Sequence, residues 1–146
     1  MLVKTTRFGT LEVDPADVLV FPAGLVGLEA CREWVLLADA QNEALAWLQS
    51  ATRPELALAV VSPRRFVLDY QLRVYRSELA PLALESLEQA QVLAIVSHGE
   101  QGVCLNLRAP LVINLPRRLG RQVIANGDVP LQYPLASHAA SIRKSA

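Results

Sequence analysis

Aromatic side chains are scarce in this chain: three Phe, three Tyr and two Trp make up 5% of 146 residues. A core must therefore come from Leu, Val, Ala and Ile, and a hydrophobic content of 52% is enough to build one. An excess of one charge is lacking too. Fourteen Lys and Arg balance fourteen Asp and Glu, for a formal net charge of +0. A generic nucleic-acid binder carries surplus positive charge, so direct nucleic-acid binding is not expected. Cysteine is limited to Cys31 and Cys104, far apart in sequence. In a reducing compartment they read as buried thiols rather than a disulfide or a metal pair. No apolar run approaches the ~20 residues of a membrane helix. The opening MLVKTTRFGTLEV has no signal-peptide core, so the expected location is the cytoplasm, without membrane contact.

Catalytic signatures are equally thin. There is no C-x-x-C, H-E-x-x-H, G-x-S-x-G, P-loop or dinucleotide fingerprint. His98 sits in a Gly-flanked turn and His138 in the closing Ala/Ser-rich stretch, neither with acids or thiols at metal-ligand spacing. Asp14 and Asp17 lie in a turn, where a capping role is ordinary. The sequence therefore points away from an enzyme and implies no cofactor.

What the chain does contain is short β-type runs punctuated by turns. Gly102–Asn114, GVCLNLRAPLVIN, sets the pattern: Val103, Leu105 and Leu107 alternate with Cys104, Asn106 and Arg108, and Leu111–Ile113 resumes after Pro110. Proline has no N–H for a ladder, so two strands meeting at a corner are expected here. Leu2–Thr6 and Thr10–Val13 flank Gly9 as a hairpin, and Asp17–Phe21 is a third strand. Glu33–Ala38 and Ala44–Gln49 pair about the polar turn 39–43, where Trp34 and Trp47 either stack across the hairpin or simply pack in the core. Leu56–Val61 suits a central strand buried on both faces, and Phe66–Tyr75 regains alternation. Ser77–Ala90 lacks β-branched residues and reads as helical, with Ser77 as N-cap and Pro81 dividing it into two pieces or bending one. Val92–Ser97 and Arg121–Ala125 complete about ten strands. The expected fold is mainly β, an antiparallel β-barrel-like or sandwich domain over residues 1–135 with one short helical insertion. Residues 136–146 are expected to form a flexible tail in which Ile142, Arg143 and Lys144 could order on a partner.

Two features invite a binding role. The loop Phe21–Glu29 carries Leu25, Val26 and Leu28, apolar residues that either dock on the core or meet a partner. Basic residues cluster at Arg64-Arg65 and at Arg117-Arg118 with Arg121. Arg117 and Arg121 have the R-x-x-x-R spacing with which PilZ-type barrels hold cyclic dinucleotides, but no D/N-x-S-x-x-G run follows. Solvated turn arginines, a partner contact and a nucleotide site are the three readings of that cluster.

Taken in order, several segments resemble the flagellar assembly factor FliW family. They are Phe21-Pro-x-Gly-Leu-x-Gly-Leu-Glu29, Trp47-Leu-Gln-Ser50, Pro54-x-Leu-Ala-Leu-Ala-Val-Val61, Asp69-Tyr70, Asn106-Leu-x-Ala-Pro-Leu-Val-Ile-Asn114, Gly120-Arg-Gln-Val-Ile124 and Tyr133-Pro-Leu135. The resemblance implies a non-enzymatic cytoplasmic β-barrel protein. It further implies a protein that binds flagellin before export and also binds the translational regulator CsrA, the two partners competing. On that expectation Leu25, Val26, Leu28, Arg64, Arg65, Phe66, Asp69, Tyr70, Asn106 and Arg108 are the partner-binding candidates. The apolar members would shelter an amphipathic helix, and Asn106 and Arg108 would form a polar rim. Asn106 could equally be satisfied internally.

Overall fold

Alternating apolar side chains decide the main sheet, and strand β8 decides its closure. The computed structural model describes residues 1–100 and 102–135. Its strands are β1 (Leu2–Thr5), β2 (Gly9–Glu12), β3 (Leu19–Val20), β4 (Glu33–Ala38), β5 (Ala46–Ser50), β6 (Ala57–Val61), β7 (Ala90–Gly99), β8 (Gly102–Asn114), β9 (Leu119–Gln122) and β10 (Tyr133–Pro134). Strands β3 to β9 form a ring of neighbours, because β8 pairs with both β7 and β9, and β9 pairs in turn with β3. The result is a mainly β, 7-strand barrel, as expected for the barrel alternative rather than the sandwich. All the ring pairings are antiparallel except the parallel contact of Val20 with Leu119. The short β10 adds to the β8 edge opposite β7.

Register sets which side chains turn inward. Leu36 lies opposite Leu48, Leu48 opposite Leu58, Val60 opposite Ile95 and Leu93 opposite Leu111. Partners across a ladder share a face. These residues, with Leu19, Phe21, Trp34 and Ile113, therefore make the interior core. The Phe21 ring lies directly against the Gly120 backbone, where any Cβ would overlap it. Gly120 is thus needed for close approach, not for an unusual backbone angle.

The outer face is covered as well. The β1–β2 hairpin lays Val3 and Leu11 over Val35 and Leu37. Its tip reaches Trp47: Phe8 meets that ring edge-on at 6.0 Å between centroids, and the Arg7 guanidinium carbon sits 4.1 Å above it. Residues 66–70 and 129–135 cover Val61, Val103 and Leu105. Residues 72–84 cover Val112 and Val123. Burial on both faces explains why β8 from Ala109 onward is uniformly buried and loses its alternation.

Several expectations are corrected here. Pro110 does lie inside one strand. The ladder to β7 skips from Leu93–Leu111 to Ile95–Asn106, leaving residues 107–110 as a bulge opposite Ala94. The missing N–H falls in that bulge, while the Pro110 carbonyl accepts from the Val123 N–H at 3.0 Å. The two tryptophans do not pair. Trp34 faces inward opposite Ser50, and Trp47 faces outward opposite Leu37. Their indole N–H groups donate separately, to the Cys31 carbonyl and to Asp39 Oδ1, each at 3.0 Å. Residues 66–75 form no strand. A 3-10 turn at Pro63–Arg65 starts the segment, and Asp69 takes a left-handed φ of 57°, which interrupts extended geometry. The helical insertion is one short helix, α1 (Arg76–Leu79), followed by 3-10 turns at Ala80–Leu82 and Leu87–Gln89. Its N-cap is Tyr75, not Ser77. The first three residues of β6 are half-buried rather than buried on both faces. Cys31 and Cys104 are free and buried, and Asp14 caps the Ala16 N–H as expected. The expected tail, with His138, lies outside the described residues.

One buried polar group anchors the insertion to the barrel. Asn114, at the end of β8, donates from Nδ2 to the Leu82 carbonyl at 2.9 Å. Asn114→Ala leaves that carbonyl unpaired and should cost about 1–3 kcal/mol. Urea unfolding should show the loss, and limited proteolysis should cut first within residues 72–90. Gly120→Ala forces a methyl into the Phe21 ring and should cost about 1–3 kcal/mol. The double variant Gly120→Ala/Phe21→Leu should be less destabilised than the sum of the two single changes. Strict additivity in the denaturation midpoints would contradict the proposed ring–backbone contact.

Candidate protein-binding site

The sequence-chosen residues divide among different parts of the surface. In the loop after β3, Leu25 is buried in the interior core and Leu28 packs against it half-buried. Gly24 shapes this loop, with φ +66° and no room for a Cβ beside the Glu29 backbone. Val26 alone of the three apolar residues faces solvent, at 73% exposure. Its N–H donates to Gln122 Oε1 at 2.8 Å, fixing the loop tip beside β9.

Asn106 borders the bulge of β8, and Arg108 lies within it. Asn106 Oδ1 accepts from the Arg108 and Ala109 N–H groups at 3.1 and 3.0 Å. This is the internally satisfied alternative: the side chain closes the bulge. Arg108 is exposed, and its Nε donates to the Val129 carbonyl at 3.0 Å, holding the segment that leads to β10.

Arg64, Arg65, Phe66, Asp69 and Tyr70 follow β6. Phe66 and Tyr70 pack against the outer core around Trp47 and Leu105, while Arg64, Arg65 and Asp69 are exposed. Burial pushes the Tyr70 phenol above its usual range, and the nearby Arg64 charge opposes that shift. Arg64 and Tyr70 share the wall of a cleft of about 590 Å³. Along their common wall of Arg64, Leu72 and Leu87 this cleft joins an open groove of about 1100 Å³. The groove runs between the insertion and β7–β8. Its floor is aliphatic, with Leu72, Val74, Leu79, Val92 and Val112, and Arg64, Arg73 and Arg76 stand around it.

Sequence reading missed most of this groove. Leu68, Leu87 and Tyr75 are 91%, 75% and 70% exposed, so three of the most exposed large apolar residues lie on the segment that forms it. The signal was present at residues 66–75, where apolar residues alternate with Arg and Gln. That alternation predicts a strand, but the segment has no sheet partner, so side chains such as Leu68 and Tyr75 are left uncovered.

The Arg117–Arg121 cluster is largely committed. Arg121 pairs with Glu78 at 3.0 Å, and Arg118 pairs with Asp17 at 3.3 Å. With Arg121 held by a carboxylate, the R-x-x-x-R pair is not open to phosphate. Glu78 also accepts the Ile124 N–H at 2.8 Å, so this group ties α1 to the end of β9. Among the described residues, no three His, Cys, Asp or Glu side chains gather where they could hold a metal ion. No helix there is long and apolar enough to cross a membrane.

Comparison with known proteins agrees with this architecture. Residues 2–135 match the family model described as "FliW protein". The chain is 32% identical over 139 residues to "Flagellar assembly factor FliW" of Natranaerobius thermophilus, covering 92% of each chain. It is 33% identical over 138 residues to the protein of that name in Bdellovibrio bacteriovorus, covering 92% of this chain and 79% of the relative. A solved structure, "Crystal structure of the flagellar assembly factor FliW", superposes with a TM-score of 0.84 at 26% identity, over 92% of this chain and 96% of that one. With the barrel and nearly all of its sequence matched, the chain belongs to the FliW family of flagellar assembly factors.

Proposed function

We propose that this protein is a non-enzymatic cytoplasmic regulator of flagellar assembly that holds flagellin before export and antagonises CsrA. Family membership over residues 2–135 is the observation that carries this reading. Two physical features support it. The barrel is packed inside and out, yet it leaves Val26 on one loop and Leu68, Tyr75 and Leu87 on another segment facing solvent. Exposed apolar side chains beside a groove are what an amphipathic polypeptide helix can cover. The second is the groove beside the insertion, whose floor is aliphatic.

In this reading flagellin and CsrA compete. Free flagellin occupies the protein and releases CsrA to repress flagellin mRNA, while exported flagellin frees the protein to withdraw CsrA. Linkage makes the displacement reciprocal. Val26, Arg64, Arg65, Phe66, Asp69, Tyr70 and Arg108 are the candidate contact residues, with Leu25, Leu28 and Asn106 shaping the backbone beneath them.

The test is capture from lysate of the parent cell with the tagged full chain, followed by calorimetry with purified partners. Flagellin and CsrA should each be recovered, and added flagellin should displace CsrA. Independent, simultaneous binding of both to one protomer would exclude the switch, and recovery of neither would exclude the reading. Val26→Asp should weaken capture of at least one partner while shifting the thermal midpoint little, because the side chain is already in water.

A further inference from the structure

We infer that the groove between residues 64–90 and the outer face of β7–β8 is a docking site for an acidic amphipathic polypeptide segment. The inference rests on the protein-binding reading above and adds to it a surface and a charge sign. Its floor is wholly aliphatic where Leu72, Leu79, Val92 and Val112 line it. Leu87, 75% exposed, stands at its side as a ready contact. The volume, about 1100 Å³, lies above the ~300–1000 Å³ of ordinary small-molecule pockets. An apolar floor of this size suits one face of a helix.

The charges select the sign of that helix. Arg64, Arg73 and Arg76 line the groove against a single acid, Glu85. Glu88 lines the adjoining cleft, and Glu78 is already paired with Arg121. The Arg73 side chain donates a long 3.4 Å bond to Gln71 Oε1. On a chain whose net charge is +0, three arginines around an apolar floor form a local positive rim. Acidic residues flanking an apolar stripe would meet that rim with complementary charge. The chain's own residues 136–146 carry Arg143 and Lys144 and no acidic side chain, so they have the wrong sign to fill it. A nucleic acid would use the arginines but not the aliphatic floor.

The probes are two fluorescent 18-residue amphipathic helical peptides with the same leucine stripe, one with a Glu polar face and one with a Lys polar face. Titrated with the full chain, the Glu peptide should bind saturably and about tenfold or more tighter than its Lys twin, the preference shrinking as salt is raised. Arg73→Glu/Arg76→Glu should remove the preference. Lys4→Glu/Arg32→Glu, the same charge change on exposed residues elsewhere, should leave it. Leu87→Ser should weaken both peptides, which tests the apolar contribution even if the double reversal fails to fold. Equal affinity for the two peptides, an unchanged preference in the arginine variant, displacement by single-stranded RNA at equal concentration, or self-association that blocks the peptide would each overturn the inference. Failure of the unaltered chain to capture flagellin, with peptide discrimination intact, would sink the flagellin reading alone. Intact capture by the arginine variant would sink the groove assignment alone.

Discussion

Everything in this fold depends on one strand hydrogen bonding along both edges. β8 runs against β7 on one side and meets β9 and β10 on the other. Without the β8–β9 ladder the sheet would keep two open edges, and its interior side chains would lie on a curled but open surface. The bulge at residues 107–110 makes that double use possible. It releases the strand from β7 where Pro110 cannot donate, and it lets the Arg108 carbonyl accept from Ala125 at 2.8 Å while the Ala109 carbonyl takes the Gln122 side chain at 3.0 Å. A residue poor for ladders sits where the ladder is already interrupted.

Closure leaves a second problem, because the outside of the barrel is as apolar as the inside. Ordinary barrels alternate between core and water. Here the hairpin β1–β2, the segment 66–70 with the approach to β10, and the insertion 72–84 cover the outer positions in three patches. This explains how a chain with few aromatics can be 52% hydrophobic and still expose few large apolar side chains. Several of those it does expose, Leu2, Leu68, Tyr75 and Leu131, lie on the covering segments. The barrel is the support, and exposed apolar side chains such as Leu68 and Tyr75 belong to the pieces laid over it.

Legibility in the sequence followed the same division. Strands β4 to β7 of the ring were readable from a period of two or a short apolar run. By contrast, β3 is shorter than the expected Asp17–Phe21, and β9 lies at Leu119–Gln122 instead of Arg121–Ala125 because LGRQ carries no such signal. Glu33–Ala38 came out with its observed bounds, and the N-terminal hairpin differed only at its ends. Of the covering segments, residues 66–90 departed from expectation while the hairpin did not. Residues 70–75 show period-two alternation because one side packs on the barrel and the other faces solvent, which is the pattern of a strand without its hydrogen bonds. Pairing register was also out of reach: nothing local says that Trp47 lies opposite Leu37 instead of opposite Trp34. The loop after β3 was legible as a choice between docking and display, and the structure divides it, with Leu25 inside and Val26 outside. The groove arginines at 73 and 76 escaped notice because they are separated in sequence from Arg64 and are gathered only by the turn at Asp69.

The contact of Val20 with Leu119 has a bearing on how such a chain is made. It joins two strands almost a hundred residues apart, and it is the seam at which the ring shuts. Until β9 has emerged from the ribosome, the strands before it have nothing to close them into a ring. Only then can Phe21 settle on Gly120. Nascent or truncated chains ending before that point present two unpaired edges and an uncovered apolar wall. They are the forms of this protein most exposed to proteases and to aggregation during synthesis.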